Sequence, residues 1–214
     1  IPSATAMQID GELSEDIWAT APAVSGFLQR DPKEGAPATF DTEVRVAFDE
    51  TALYIAVNAI DRDPSKIVGI LARRDESSPS DWVRVYIDSF RDRRTAYEFS
   101  VNAAGVKGDT YWFSDGNMDA GWDAVWDVAV SRHDAGWRAE FRIPFSQLRF
   151  NPASEGTFGF AIMRSSPRIN ETTTWPLLAR SRSGFVSQFG ELTGLSFSRA
   201  PRRLELVPYA VAQA

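Results

Sequence analysis

The feature that most limits how this chain can fold is a strict alternation of apolar and polar side chains, repeated in many short stretches. Between Trp82 and Asp88, Val83, Val85 and Ile87 alternate with Trp82, Arg84, Tyr86 and Asp88. Between Ala96 and Asn102, Tyr97, Phe99 and Val101 alternate with Glu98, Ser100 and Asn102. A period of two sends successive side chains to opposite faces of an extended strand, whereas a helical face needs a period near 3.6. The same pattern recurs at Val44, Val46 and Phe48, at Leu53, Ile55 and Val57, and in VWDVAVSR, WRAEFRIP and FGFAIMRS. Turn-forming residues separate these stretches, among them FRDRR and the HDAG of SRHDAGW. Short strands with turns between them predict an all-β fold, an antiparallel β-sandwich. One segment departs from the pattern. In IDGELSEDIWATAPAV, Ser14 is a suitable N-cap, Ile17 and Trp18 follow, and Pro22 ends the run, which predicts a short N-terminal helix.

A length of 214 residues suits one sizeable domain. The tail PRRLELVPYAVAQA reads differently: Pro201, Arg202 and Arg203 resemble a linker, and LELVPYAV begins a new alternating strand. That strand either closes an edge of the sandwich or starts a following domain. The net charge of −6 argues against a nucleic-acid partner, which favours a concentrated basic surface. Only Lys33, Lys66 and Lys107 are lysines, leaving 20 Arg; guanidinium forks suit carboxylates and hydroxyl-rich ligands, although genome composition gives the same bias. The absence of Cys removes disulfides, thiolate metal sites and thiol nucleophiles, and fits an exported protein. No apolar run is long enough to span a bilayer, and the opening IPSATAMQIDG looks like a trimmed, mature start. His133 is the only histidine, which excludes a three-His zinc site; it sits in a predicted hairpin turn.

Acidic clusters and aromatic residues carry the remaining chemistry. DGNMDAGWDAVWD, residues 115–127, has the first three ligand positions of a calcium-binding loop in Asp115, Asn117 and Asp119. The required glycine comes one residue late and Trp126 stands where a bidentate Glu is needed, so this is not an EF-hand. The stretch reads as a surface loop entering a strand, with Trp126 in the core; a looser calcium site through Asp115, Asn117, Asp119 or Asp123 stays open. Asp61 and Asp63, in NAIDRDP, place two carboxylates in a turn, which suits either a hard cation or a plain Asp-Pro turn. If the strands at 82–88 and 96–102 pair antiparallel, Trp82, Arg84, Tyr86, Glu98, Ser100 and Asn102 share one surface. Flat aromatic plates and charged hydrogen-bonding groups are what sugar rings require. The same face could instead pack beneath loops.

Taken in order, IDGELSEDIW, VRVAFDETALYIAVNAIDRDP, SDWVRVYIDSFRDRRTAYEFSVNAAGVKGD, WDVAVSRHDAGWRAEFRIPFSQL and GTFGFAIMR resemble carbohydrate-binding module family 9. The resemblance runs over about residues 7 to 197, and is nearer to the family-9-like domain at the N-terminus of bacterial outer-membrane proteins of unknown function. In those, a β-barrel follows, often opening with a phrase like RRLELVPYA. The resemblance implies a non-catalytic sugar-binding sandwich over residues 1–200, then a linker and first barrel strand over 201–214. It also implies an exported protein of a Gram-negative envelope, in the periplasm or at the outer-membrane surface, with the barrel as its partner in the same chain. Calcium is often bound in the family, and Asp61 and Asp63 stand where it would be tested first. Xylanase-attached members of the family grip sugar chain ends between two tryptophans. Trp175, in TTTWPLL, resembles the later one; the earlier one has no counterpart in RRDESSPSD, where Arg73 and Arg74 stand, and Trp112 is the aromatic alternative. The expected carbohydrate contacts are therefore Trp175 and Trp112 for stacking, with Arg73, Arg84, Glu98 and Asn102 for hydroxyls. The rival expectation is a domain that gates or contacts its own barrel, with no sugar ligand.

Overall fold

The computed structural model describes residues 7–150 and 156–196. The alternating stretches become strands. In chain order they are β1 (Ala23–Val24), β2 (Leu28–Asp31), β3 (Thr42–Phe48), β4 (Ala52–Ile60), β5 (Trp82–Asp88), β6 (Ala96–Asn102) and β7 (Lys107–Phe113). They continue with β8 (Asn117–Asp119), β9 (Asp127–His133), β10 (Gly136–Pro144), β11 (Phe158–Ser166), β12 (Glu171–Trp175) and β13 (Gly190–Leu192). Among the described residues one antiparallel sheet has the order β1-β3-β4-β10-β9. The other runs β2-β12-β11-β5-β6-β7-β8, with β13 also paired to β11. The tail at 201–214, read as linker and strand, lies outside the described residues.

The two sheets close on one core. Ile55, Val57, Phe141 and Ile143 from the first sheet meet Val83, Val85, Phe99, Phe160 and Ile162 from the second in a single buried cluster. Burying each such side chain contributes about 1.5–3 kcal/mol. Slipping any strand by one residue would turn this apolar set outward, so the alternation itself fixes the register. At the β9–β10 hairpin, Gly136 is required by close approach: a Cβ there would lie 2.1 Å from the carbonyl oxygen of Ala59.

The predicted helix is present as α1 (Asp16–Thr20), one residue later than expected from Ser14; Glu15 is the N-cap and makes no side-chain cap. Helix and N-terminal segment lie on the outer face of the first sheet. Trp18 packs with Ala47, Ala52, Tyr54 and Ala56, small residues that leave room for the indole. Glu140 points to the same face and is fully buried. It accepts hydrogen bonds from the backbone N–H of Asp10 and Gly11, both at 3.1 Å, and from Trp18 Nε1 at 3.0 Å. Among the described residues the first sheet is thus covered on both sides, and the outer face of the second sheet is left open for a ligand.

Candidate functional site

The antiparallel pairing of β5 with β6 sets Trp82 opposite Asn102, Arg84 opposite Ser100 and Tyr86 opposite Glu98, as the alternation implies. β7 adds Gly108, Thr110 and Trp112 beside Ser100, Glu98 and Ala96. On the other side β11 adds Ala161 and Met163 beside Tyr86 and Arg84. Side chains in the middle of this surface are short. A Cβ on Gly108 would stand 2.8 Å from Ser100 Oγ, so glycine there keeps the floor low. Trp82, Arg84, Trp112, Met163 and Phe185 stand around it, and the result is an open groove of about 570 Å³.

Glu98 lies at the base of this groove, 8% exposed. Its Oε2 accepts Trp112 Nε1 at 2.8 Å and its Oε1 is 3.4 Å from Arg84 Nε. Burial pushes the Glu98 carboxyl up from its ordinary range, opposed by the Arg84 charge and the indole hydrogen bond. Arg84 Nη1 donates to Ser165 Oγ at 3.0 Å, and its guanidinium sits 5.5 Å from the Trp82 ring. Trp82 is fixed in turn by Nε1 donating to the Ser78 carbonyl.

One wall is aromatic. Trp112 and Phe185 lie 4.4 Å apart with rings 32° from parallel, and Tyr86 meets Phe185 edge-on at 5.1 Å. Burial raises the Tyr86 phenol well above its ordinary pKa. Arg30 stands 5.9 Å from the Phe185 ring and donates to the Leu178 carbonyl. Phe185 is held by the stretch that opens DGNMDAGWDAVWD. Asp115 accepts hydrogen bonds from the N–H groups of Phe185 and Ser187 and from Ser187 Oγ, at 3.0, 2.8 and 2.7 Å. Asn117–Asp119 then forms the edge strand β8, with Met118 opposite Trp112, and Trp126 enters the core.

Three of the expected contacts, Arg84, Glu98 and Trp112, come together here, with Trp112 contributed by β7. Three do not. Trp175 pairs with Ile162, so its side chain faces inward and packs against the core. Asn102 is fully buried at the end of β6; its Nδ2 donates to the Ile70 carbonyl and its Oδ1 accepts from Ala104 and Val106 N–H. It staples a turn. Arg73 is exposed in the loop before β5, outside the groove lining. Phe185, Arg30 and Met163 were missed. Phe185 comes from a loop without periodicity, so no pattern marks it.

The carboxylates expected to hold calcium are occupied differently. Asp61 is buried, and both its oxygens accept Arg168 Nη2, at 2.7 and 2.6 Å. Asp63 is paired with Lys66 at 2.7 Å and accepts Ser65 Oγ. A different acidic group, Asp75, Asp109 and Asp123, brings one oxygen from each within 4.8 Å of the others, a spacing that could hold a metal ion. Arg74 reaches all three, at 3.6, 2.5 and 3.8 Å. The residues present in both places fit a guanidinium.

Among curated proteins, none matches the chain significantly. Several solved structures share the fold. A carbohydrate-binding module family 9 protein from Caldicellulosiruptor kristjanssonii in complex with cellotriose is 19% identical, with a TM-score of 0.63 over 97% of this chain and 98% of its own. The structure from that organism in complex with glucose is also 19% identical, with a TM-score of 0.65 over 94% and 98%. A Bacteroides uniformis protein with a proposed carbohydrate-binding role is 12% identical, with a TM-score of 0.70 over 92% and 96%. At these identities the likeness concerns the fold. The family model described as carbohydrate family 9 binding domain-like matches residues 9–175, well over half the sequence, and the chain belongs to that family.

Proposed function

We propose that this module binds a neutral oligosaccharide, without catalysis, in the groove on the outer face of the second sheet. The observation that carries the reading is the Glu98–Arg84–Trp112 cluster, a carboxylate and a guanidinium set against an aromatic wall. A sugar ring offers an apolar C–H face and a rim of hydroxyls. The edge and face of Trp112 and Phe185 match the first. The second needs strong donors and acceptors, and charge-assisted hydrogen bonds are the strongest available. Arg84 has five N–H donors, of which the contacts to Glu98 and Ser165 engage two. Asp75 and Glu76 at the groove margin disfavour acidic glycans.

The cellotriose and glucose bound by the Caldicellulosiruptor kristjanssonii structures make these sugars the first probes. Isothermal titration of the protein with glucose, cellotriose and xylotriose is expected to give saturable heat with at least one of them. Absence of binding to these and across an array of neutral glycans would discard the reading. The proposal extends to setting: an exported protein of the Gram-negative envelope whose barrel domain follows this module. That part rests on the likeness of RRLELVPYA, residues 202–210, to the opening of such barrels. Cell fractionation of the full-length protein, followed by surface protease treatment, tests it.

A further inference from the structure

We infer that arginine side chains take the place of divalent cations in this module, Arg164 and Arg168 at one end of the sandwich and Arg74 beside the groove, so that it folds without metal. Arg164 lies on β11 opposite Val83 and Thr173 and points between the sheets, 2% exposed. Its Nη1 donates to the Asp41 carbonyl at 3.0 Å and to Thr42 Oγ1 at 3.1 Å; its Nη2 donates to the Ile60 carbonyl at 2.8 Å. Two backbone carbonyls and a hydroxyl converging from the start of β3 and the end of β4 are the ligand chemistry of a hard cation. The centre of this ring is filled by a planar fork whose two terminal nitrogens supply a donor to each of the three oxygens.

The charge balance agrees. Asp61, Asp81 and Glu171 surround the Arg164 charge, and Arg168 is the second cation, bound to both oxygens of Asp61. The Phe40 ring stands 5.9 Å from the Arg164 guanidinium and 5.4 Å from that of Arg168. A buried arginine is tolerated where oxygens replace its hydration shell and carboxylates offset its charge; here three oxygens serve Nη1 and Nη2, the three carboxylates offset the charge, and Nε alone is buried without a hydrogen-bond partner. A divalent ion entering the same ring would meet a fixed positive charge at bonding distance.

The second place repeats the design independently. Asp109 has a side chain with no exposure, and Arg74 binds its Oδ1 through Nε at 3.0 Å and Nη2 at 2.5 Å. Arg74 also donates to the Ala124 carbonyl at 2.7 Å, so one guanidinium ties the loop before β5 to β7 and to the loop before β9. Three carboxylates within 4.8 Å would repel strongly without a cation among them, and Arg74 is that cation.

The test is a melting curve of the whole protein in excess EDTA, in excess calcium chloride and in excess magnesium chloride. The melting temperature is expected to be the same in all three, because a ligand that binds only the folded state would raise it with concentration. Direct calorimetric titration of EDTA-treated protein with calcium is expected to show no binding. Arg74→Ala, a partly exposed position whose loss the fold should survive, is expected to gain a calcium-dependent rise of several degrees by opening the acidic triad. Arg164→Ala is expected to melt far lower in EDTA and to recover part of the loss in calcium. Loss of wild-type stability in EDTA, calcium heat with the wild type, or Arg74→Ala remaining indifferent to calcium would each overturn the inference. The melting readout does not involve sugar, so its failure is distinct from a failure to bind glycans.

Discussion

Each sheet turns a buried glutamate away from the shared core, and in each case a tryptophan indole donates to it. On the first sheet, Glu140 accepts Trp18 Nε1 and two backbone N–H groups of the N-terminal segment. On the second, Glu98 accepts Trp112 Nε1 and faces Arg84. The chemistry is alike; the covering is not. Glu140 is sealed under α1 and its preceding segment, so its hydrogen bonds hold the chain in place. Glu98 sits at the base of an open groove between aromatic rings. The same pair of residue types is a lock when the chain closes over it and a binding element when the chain leaves it accessible.

The sharpest way to break this comparison is to remove each carboxylate. Glu140→Ala should cost about 3 kcal/mol in urea unfolding, since three donors to a buried charged group lose their acceptor. Glu98→Ala should cost less than half of that while abolishing measurable glycan binding. Equal stability losses would mean that the second glutamate is also a lock. The tryptophans extend the contrast. Trp175→Ala should lower stability by roughly 2–3 kcal/mol, because the indole packs on the core, and leave affinity unchanged once the protein is folded. Trp112→Ala should do the reverse, weakening glycan binding by about 2 kcal/mol, the scale for an aromatic binding contact.

Protonation separates the two faces more finely. Burial raises both carboxyls above the ordinary 4.5. A raised carboxyl contributes stability that is full below 4.5 and is lost as pH rises through the folded-state value. Glu140→Gln should therefore flatten the pH dependence of unfolding in that window. Glycan binding should run the other way, because Glu98 accepts sugar hydroxyls best when ionised. Affinity is expected to begin falling, on acidification, at a pH above 4.5, and Glu98→Gln should remove that dependence. A pH-independent affinity in the wild type would exclude Glu98 from the contacts. The smallest effect belongs to Arg73→Ala: as an exposed side chain outside the groove, it should change affinity and stability by less than about 0.5 kcal/mol.

The sandwich was legible because a strand's two faces are written directly into a period of two. Val83, Val85 and Ile87 had to face one way, and Arg84 and Tyr86 the other, wherever the strand was placed. The surface shared by Arg84, Tyr86, Glu98 and Ser100 followed from one further step, antiparallel pairing of neighbours. Trp175 shows where this reasoning stops. TTTWPLL reads as a polar loop, yet Glu171–Trp175 pairs with β11 and turns the indole inward. Asn102 shows the same limit at a strand end: its face was right, but the turn that follows uses both ends of its amide.

By itself, the sequence determined the two-layer architecture, the inner and outer sets of side chains, and the chemical types available for a sugar. The tertiary structure decided which outer face stays open, because that depends on where the N-terminal segment and the loop carrying Phe185 come to rest. It also decided which partner each carboxylate takes. A carboxylate in a turn suits a metal or an arginine equally on local grounds, and Arg168 meets Asp61 across 107 residues of chain. Contacts made at such separation depend on the packing of whole sheets, which no local periodicity encodes.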